Sequence, residues 1–186
     1  RITDVLERDL LLELIGPVAE RRVLDVGCGD GQLASALAKA GAWVSAIDTS
    51  AQMLEAARRR FESDDVEGKL TKADAEALPF ENASFDVVTA VTVLCFIGRP
   101  DRAFLEMARV LKPGGLLVIG ELGLFRVGDV ASLARLAGSP DLELRAFSVG
   151  RRAGRFCAQR RPRRSDDQSG CLLSAARMGG GLARAC

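Results

Sequence analysis

The chain has 186 residues, 48% of them hydrophobic, with 26 Lys and Arg against 25 Asp and Glu. That is the size of one domain with a sizeable core, and no apolar run approaches the ~20 residues of a membrane span. It contains no histidine and no tyrosine, which excludes an imidazole base, a His-liganded metal and a phenol nucleophile. Five scattered cysteines without a CxxC pair argue against a disulfide framework or a zinc site and place the chain in a reducing cytoplasm. The chain opens on Arg1 with no signal-peptide pattern, so its natural start is expected upstream.

The net charge of +1 conceals an asymmetry: residues 151–186 hold 9 basic and 2 acidic side chains, while residues 1–150 are net acidic. Two regions are expected: a folded domain over 1–150 and an Arg- and Gly-rich, poorly ordered tail over 151–186, which shows no useful period.

In chain order, Thr3 to Ile15 reads as a helix stopped by Gly16-Pro17. Val23, Leu24 and Val26 form a short buried strand, glycines at 27, 29 and 31 turn the chain, and a helix follows from about Gln32 to Gly41. Trp43 to Asp48 is a second strand. Thr49 and Ser50 offer caps for the next helix, Thr49 with capping-box spacing to Gln52. That helix shows Met53, Ala57 and Phe61 inward, and Arg58 to Arg60 as a solvated face. A third strand is expected near Lys69 to Ala73, a fourth at Phe85 to Val91, and a helix from Pro100 through Leu111 with Phe104, Ala108 and Leu111 inward. Lys112-Pro113-Gly114-Gly115 breaks the chain before a fifth strand, Leu116 to Gly120. Val127 to Leu136 is a candidate helix and Leu142 to Val149 a short strand.

Strands alternating with helices predict an α/β fold: a Rossmann-like open, mainly parallel sheet with helices on both faces and right-handed crossovers. Its ligand belongs at the carboxyl ends of the strands, beside the first. A dinucleotide turn needs GxGxxG; here the position of the last glycine is Gln32. Asp30 adds a carboxylate at the mouth of the turn, which repels a diphosphate and suits a ligand carrying an ammonium and a sulfonium. Those features favour S-adenosylmethionine over a nicotinamide dinucleotide.

VLDVGCGDG, followed by AIDTS, ADAEALPFENASFDVV and RVLKPGGLLVIGE, resembles the class I S-adenosylmethionine-dependent methyltransferases, nearest the small-molecule branch with the ubiquinone/menaquinone and biotin-pathway enzymes. The resemblance covers about Val23 to Glu121. It implies that Gly27, Cys28 and Gly29 lie against the methionine part of the cofactor, with Asp25 holding the turn and the amino group. Asp48 takes the ribose hydroxyls, Thr49 and Met53 pack by the adenosine, and Asp74 and the Ala75 N–H read the adenine. Ala90 and Val91 floor the pocket near the sulfonium.

Each position also has a purely structural account. The turn serves as a tight strand-to-helix connection, Asp48 as a cap, Asp74 as a loop acid, and Cys28 as a small residue that fits the turn rather than a nucleophile.

Methyl transfer from a sulfonium is an in-line displacement with an activated leaving group, so the protein's task is alignment and exclusion of water. A base is needed only where the acceptor must lose a proton. Glu121 is the one candidate, with a solvated carboxylate as its alternative. Leu94-Cys95-Phe96 offers an apolar wall, which favours an apolar small-molecule acceptor. The family fold normally ends in a helix and an antiparallel strand pair. Residues 151–186 show neither, so the C-terminal strand pair is expected to be missing or replaced. The alternative function is a catalytically impaired cofactor-binding module whose basic tail contacts an acidic partner. With Phe156 as the tail's one aromatic group, sequence-specific nucleic-acid binding is disfavoured.

Overall fold

The computed structural model describes residue 9, residues 11–121 and residues 142–148, without the side chains of 121 and 146–148. The expected helix over Val127 to Leu136, most of the segment Thr3 to Leu10, and the 151–186 tail lie outside the described residues. Residues 11–15 are helical, and Gly16, with φ +77°, closes that turn by donating its N–H to the Leu12 carbonyl. The remaining elements are β1 (Arg22–Val26), α1 (Gln32–Lys39), β2 (Trp43–Asp48), α2 (Ala51–Asp64), β3 (Lys69–Lys72) and β4 (Phe85–Val91). A 3-10 turn (Leu94–Phe96), α3 (Pro100–Val110), β5 (Leu111–Glu121) and β6 (Glu143–Ser148) complete them.

The six strands form one sheet in the order β3-β2-β1-β4-β5-β6, and every pairing is parallel. A parallel sheet must be covered on both faces, so its strands read as apolar runs. FDVVTAV does so, with Val87, Val88, Thr89 and Ala90 all fully buried.

One face collects Leu24, Val26, Ile47, Val88, Leu117 and Ile119 against α3. The other collects Val23, Val44, Ala46, Val87 and Val118 against α1, α2 and residues 11–18. The chain winds outward from β1 through β2 to β3, then returns to β1's other side at β4. In open α/β sheets a reversal of this kind is where ligands bind, at the carboxyl ends of the strands, here those of β1 and β4.

Helix faces differ from the sequence expectation by a residue. In α2 the buried positions are Leu54, Ala57 and Phe61, whereas Met53 is 41% exposed. The cap is Ser50, whose Oγ accepts from the Met53 N–H at 3.3 Å, rather than Thr49. In α3 the inward stripe is Ala103, Phe104, Met107 and Val110, with Ala108 half-buried. In both helices several apolar residues fit the period, and packing selects the stripe that meets the sheet.

The Lys112-Pro113-Gly114-Gly115 break is absorbed into β5. The register steps from Phe85↔Leu111 to Val87↔Leu116, and Lys112 Nζ lies 2.8 Å from Asp86 Oδ1. The expected late strand is present as β6. It pairs directly with β5 and sends Leu144 into the core. Arg145 of β6 donates to the Leu14 carbonyl of the first helical stretch.

Candidate cofactor site

The three alternate glycines all have φ between +54° and +79°, a region that disfavours any residue with a Cβ. Their surroundings separate them. A Cβ on Gly27 would collide with the Val93 side chain. One on Gly31 would lie 2.8 Å from Ala57 Cβ and 3.1 Å from Ala57 Cα, so this glycine lets α1 start against α2. Beside Gly29 there is nothing within 4 Å. Of the three, Gly29 opens onto free space.

Four of the turn's amides are spoken for. Gly27 and Cys28 both donate to the Ile47 carbonyl at 2.9 Å, and Gly31 donates to the Cys28 carbonyl at 2.9 Å. Gly29 donates to Asp48 Oδ2 at 3.0 Å. A turn that cradles a diphosphate must aim free N–H groups at it; these four are satisfied within the protein. The Ile47 carbonyl and Asp48 therefore hold the turn, not Asp25 as the resemblance implied.

The acidic residues stand at one edge of the sheet. Asp25 is in β1, Asp48 ends β2, and Asp74 follows β3, where Ala73 N–H donates to the Asp48 carbonyl. Asp48 accepts through Oδ1 from the Ser50 N–H at 2.8 Å as well as through Oδ2 from Gly29, which fixes its carboxylate plane. Each oxygen keeps a further lone pair. Asp74 accepts from the Glu76 N–H at 2.9 Å, ordering the loop that begins with the buried Ala75.

Asp25 is 3% exposed and takes a hydrogen bond from Thr89 Oγ1 at 2.7 Å. Burial pushes its carboxyl up to about 6 against the pull of Thr89, with Asp48 adding to the rise. Burial, then Asp25 and Asp48, also push the Cys28 thiol up to about 12, so it stays a neutral thiol.

Two expectations need correction. Asp30 is not a free anion at the mouth of the turn. Arg60 Nη2 lies 2.5 Å from its Oδ2, and Arg60 Nε donates to its carbonyl at 3.0 Å. Arg60 is accordingly not part of the solvated face, which holds Arg58 and Arg59 beside Glu55. Leu94 is fully buried and belongs to the core, leaving exposed Cys95 and Phe96, the latter 82% exposed, as the apolar surface there.

Thr49 follows Asp48 directly, and Met53 lies in the first turn of α2 with its side chain partly exposed. Ala90 is fully buried in the core and Val91 half-buried at the end of β4. Thr92, next in line, has φ +55° and donates to the Gly120 carbonyl at 2.6 Å, tying the ends of β4 and β5. Glu121 is the last residue of β5.

Thr89 went unread in the sequence, and Arg60 was read there only as part of a solvated face. Thr89 had a signal: a lone hydroxyl within FDVVTAV needs a buried partner, and Asp25 is the polar residue inside the neighbouring strand.

A wide groove of 1280 Å³ opens at the other end of the sheet, between Trp43, Phe61, Val66 and Lys69, and none of the candidate site residues lines it. Among the described residues no group of three or more His, Cys, Asp or Glu could hold a metal ion, and no helix is long and apolar enough to cross a membrane.

An open parallel sheet whose winding reverses at β1 and β4, with a glycine turn and acids near the carboxyl ends of adjacent strands, defines a doubly wound α/β protein. The chain belongs to the methyltransferase domain family, which matches residues 24–119. It is 44% identical over 118 residues to a demethylmenaquinone methyltransferase of Clavibacter sepedonicus, covering 63% of this chain and 48% of that protein.

Among solved structures, the [4+2]-cyclase SpnF is 31% identical with a TM-score of 0.63, over 72% of this chain and 56% of that one. A Haemonchus contortus phosphoethanolamine N-methyltransferase 2, solved with phosphomonomethylethanolamine and S-adenosylhomocysteine, is 27% identical with a TM-score of 0.64, over 72% and 36%. The chain spans about half the length of the curated relatives it matches.

Proposed function

We propose that this chain carries the S-adenosylmethionine site of a cytoplasmic methyltransferase acting on an apolar small molecule, within a domain that ends near residue 150. The observation that supports the ligand class best is the turn itself. Four of its amides are consumed internally, while carboxylates stand at the ends of β1 and β2 and after β3. Such a site disfavours a diphosphate and suits a cationic nucleoside.

The residues fit that group. Gly29 has open space where a Cβ would stand, so a ligand chain can lie against its backbone. Asp48 is held by two backbone amides with lone pairs to spare, as two ribose hydroxyls require. Asp25 supplies a buried anion for the ammonium group, and the loop at Asp74 and Ala75 supplies an acceptor and a donor for the adenine edge.

The cofactor supplies a methyl group already activated by its sulfonium. The chain's contribution is orientation: the β1 turn and the end of β4 fix the donor, and the exposed Cys95 and Phe96 offer an apolar approach for the acceptor. Alignment of this kind is worth up to about 7–11 kcal/mol of barrier. Glu121, closing β5, is the proposed base where the acceptor must lose a proton.

Calorimetric titration of the full chain tests the reading. S-adenosylhomocysteine binds in the micromolar range and NADH does not. Asp48→Ala lowers the affinity by about tenfold to a hundredfold, equivalent to about 1.5–3 kcal/mol for a charge-assisted hydrogen bond. Tighter binding of NADH than of S-adenosylhomocysteine, or an Asp48→Ala variant of undiminished affinity, overturns it.

A further inference from the structure

We propose that Thr89 is a positioning residue: through one hydrogen bond it fixes the Asp25 carboxylate as the anion that receives the ammonium end of the cofactor, and so sets the acid limit of cofactor binding. This rests on the reading of the site given above.

The argument begins in the register. Asp25 of β1 stands beside Thr89 of β4 in the parallel ladder, and both are buried, at 3% and 0% exposure. Thr89 Oγ1 is 2.7 Å from Asp25 Oδ1 and 3.4 Å from the Leu24 carbonyl. A hydroxyl has one proton to donate, and the shorter contact assigns it to the carboxylate. Valine fills the same space and suits a central strand at least as well, so the fold does not need the hydroxyl. Asp25 does.

Among the described residues no cation acts on Asp25. From the end of β2 the group acting on Asp25 is Asp48, a like charge. In the turn, the Cys28 thiol is itself pushed up by Asp25 and stays neutral; Asp30, further along, is paired with Arg60. The one charged side chain of α1 is Lys39, in its last turn and paired with Asp64. Among the described residues Asp25 Oδ2 has no hydrogen-bond donor, while Oδ1 has Thr89. A buried acid in the company of other acids, with one oxygen tied and one unoccupied, is built to accept a cationic ligand. Its carboxyl is raised to about 6, so ionisation, and with it ligand affinity, is lost as the pH falls through that value.

The test compares the full-length wild type with Thr89→Val and Thr89→Ser. The probe is S-adenosylhomocysteine, which keeps the ammonium and lacks the sulfonium charge, titrated calorimetrically from pH 5.5 to 8.5. In parallel, carboxyl ¹³C NMR of the ligand-free proteins follows Asp25, assigned with Asp25→Asn. Loss of one charge-assisted hydrogen bond raises the carboxyl by about one pH unit, which lowers the ionised fraction about fivefold at pH 6 and barely changes it at pH 8.5. Thr89→Val is expected to lose affinity in that pH-selective way, and Thr89→Ser to restore the wild-type profile.

An unchanged acid limit in Thr89→Val overturns the proposal. So does an equal loss at every pH, which marks a merely structural role. Wild-type binding that is flat with pH overturns the proposal and leaves the cofactor reading standing. Absence of wild-type binding at all pH values, with the NMR titration still dependent on Thr89, removes the cofactor reading and the proposal with it.

Discussion

Replacing Gly31 by alanine separates two explanations for the glycine turn, because at this position the glycine serves packing rather than a ligand. Its φ of +79° places an L-residue in the left-handed region at a cost of about 1–2 kcal/mol. The added methyl would lie 2.8 Å from Ala57 Cβ and 3.1 Å from Ala57 Cα. Neither atom can rotate away, since both are fixed by the α2 backbone, so α1 must shift from α2. Overpacking of this kind costs about 1–3 kcal/mol. The sum, about 2–5 kcal/mol, is a large share of the roughly 5–15 kcal/mol that holds a domain together.

Urea unfolding measures it, and a double-mutant cycle isolates the clash. Ala57→Gly alone costs about 1 kcal/mol for glycine in a helix. Combined with Gly31→Ala it should return about 1–3 kcal/mol as coupling, leaving the backbone strain in place. Gly29→Ala, whose methyl enters open space, should cost only the backbone portion, about 1–2 kcal/mol, while weakening S-adenosylhomocysteine binding. If Gly31→Ala and Gly29→Ala prove equally destabilising and the cycle shows no coupling, the assignment of Gly31 to helix packing is wrong.

Three further outcomes follow from the ionisable groups at Asp25, Arg109 and Cys28. Asp25 has a folded-state carboxyl raised from 3.8 to about 6, so its contribution to stability is fully present below pH 3.8 and lost as the pH rises through 6. Asp25→Asn should therefore raise the melting temperature at pH 8, by the equivalent of a few kcal/mol at most, while impairing ligand binding; a drop at pH 8 contradicts this. Arg109 donates to the Leu78 and Phe80 carbonyls and to both oxygens of Glu106, whose carboxyl that pairing holds below its usual range. Arg109→Leu should cost about 2–3 kcal/mol in urea unfolding by leaving those loop acceptors unpaired, whereas a loss below about 0.5 kcal/mol reduces the network to a surface ion pair. Cys28, with its thiol pushed up to about 12, should resist iodoacetamide at pH 8 in the native protein, as peptide mapping by mass spectrometry will show; rapid labelling contradicts its burial.

Much of this protein was written locally. Apolar runs bounded by glycine and proline marked β1, β2 and β4 nearly residue for residue, because parallel strands covered on both faces leave little room for polar side chains. The glycine spacing at 27, 29 and 31 marked the left-handed turn after β1, since glycine takes positive φ at no steric cost.

Contacts between distant segments were decided only by folding. Whether Met53 or Leu54 faced inward depended on where α2 met the sheet, and Ser50 rather than Thr49 became its cap. Arg60 looked like one more solvated arginine until α2 packed beside the turn and brought it to Asp30, 30 residues away in sequence. Thr89 reached Asp25 across 64 residues by the pairing of β1 with β4. A sequence fixes which residues are able to bury, cap or ionise. Which of them meet is settled by the register of strands and the seating of helices, and those depend on the whole core at once.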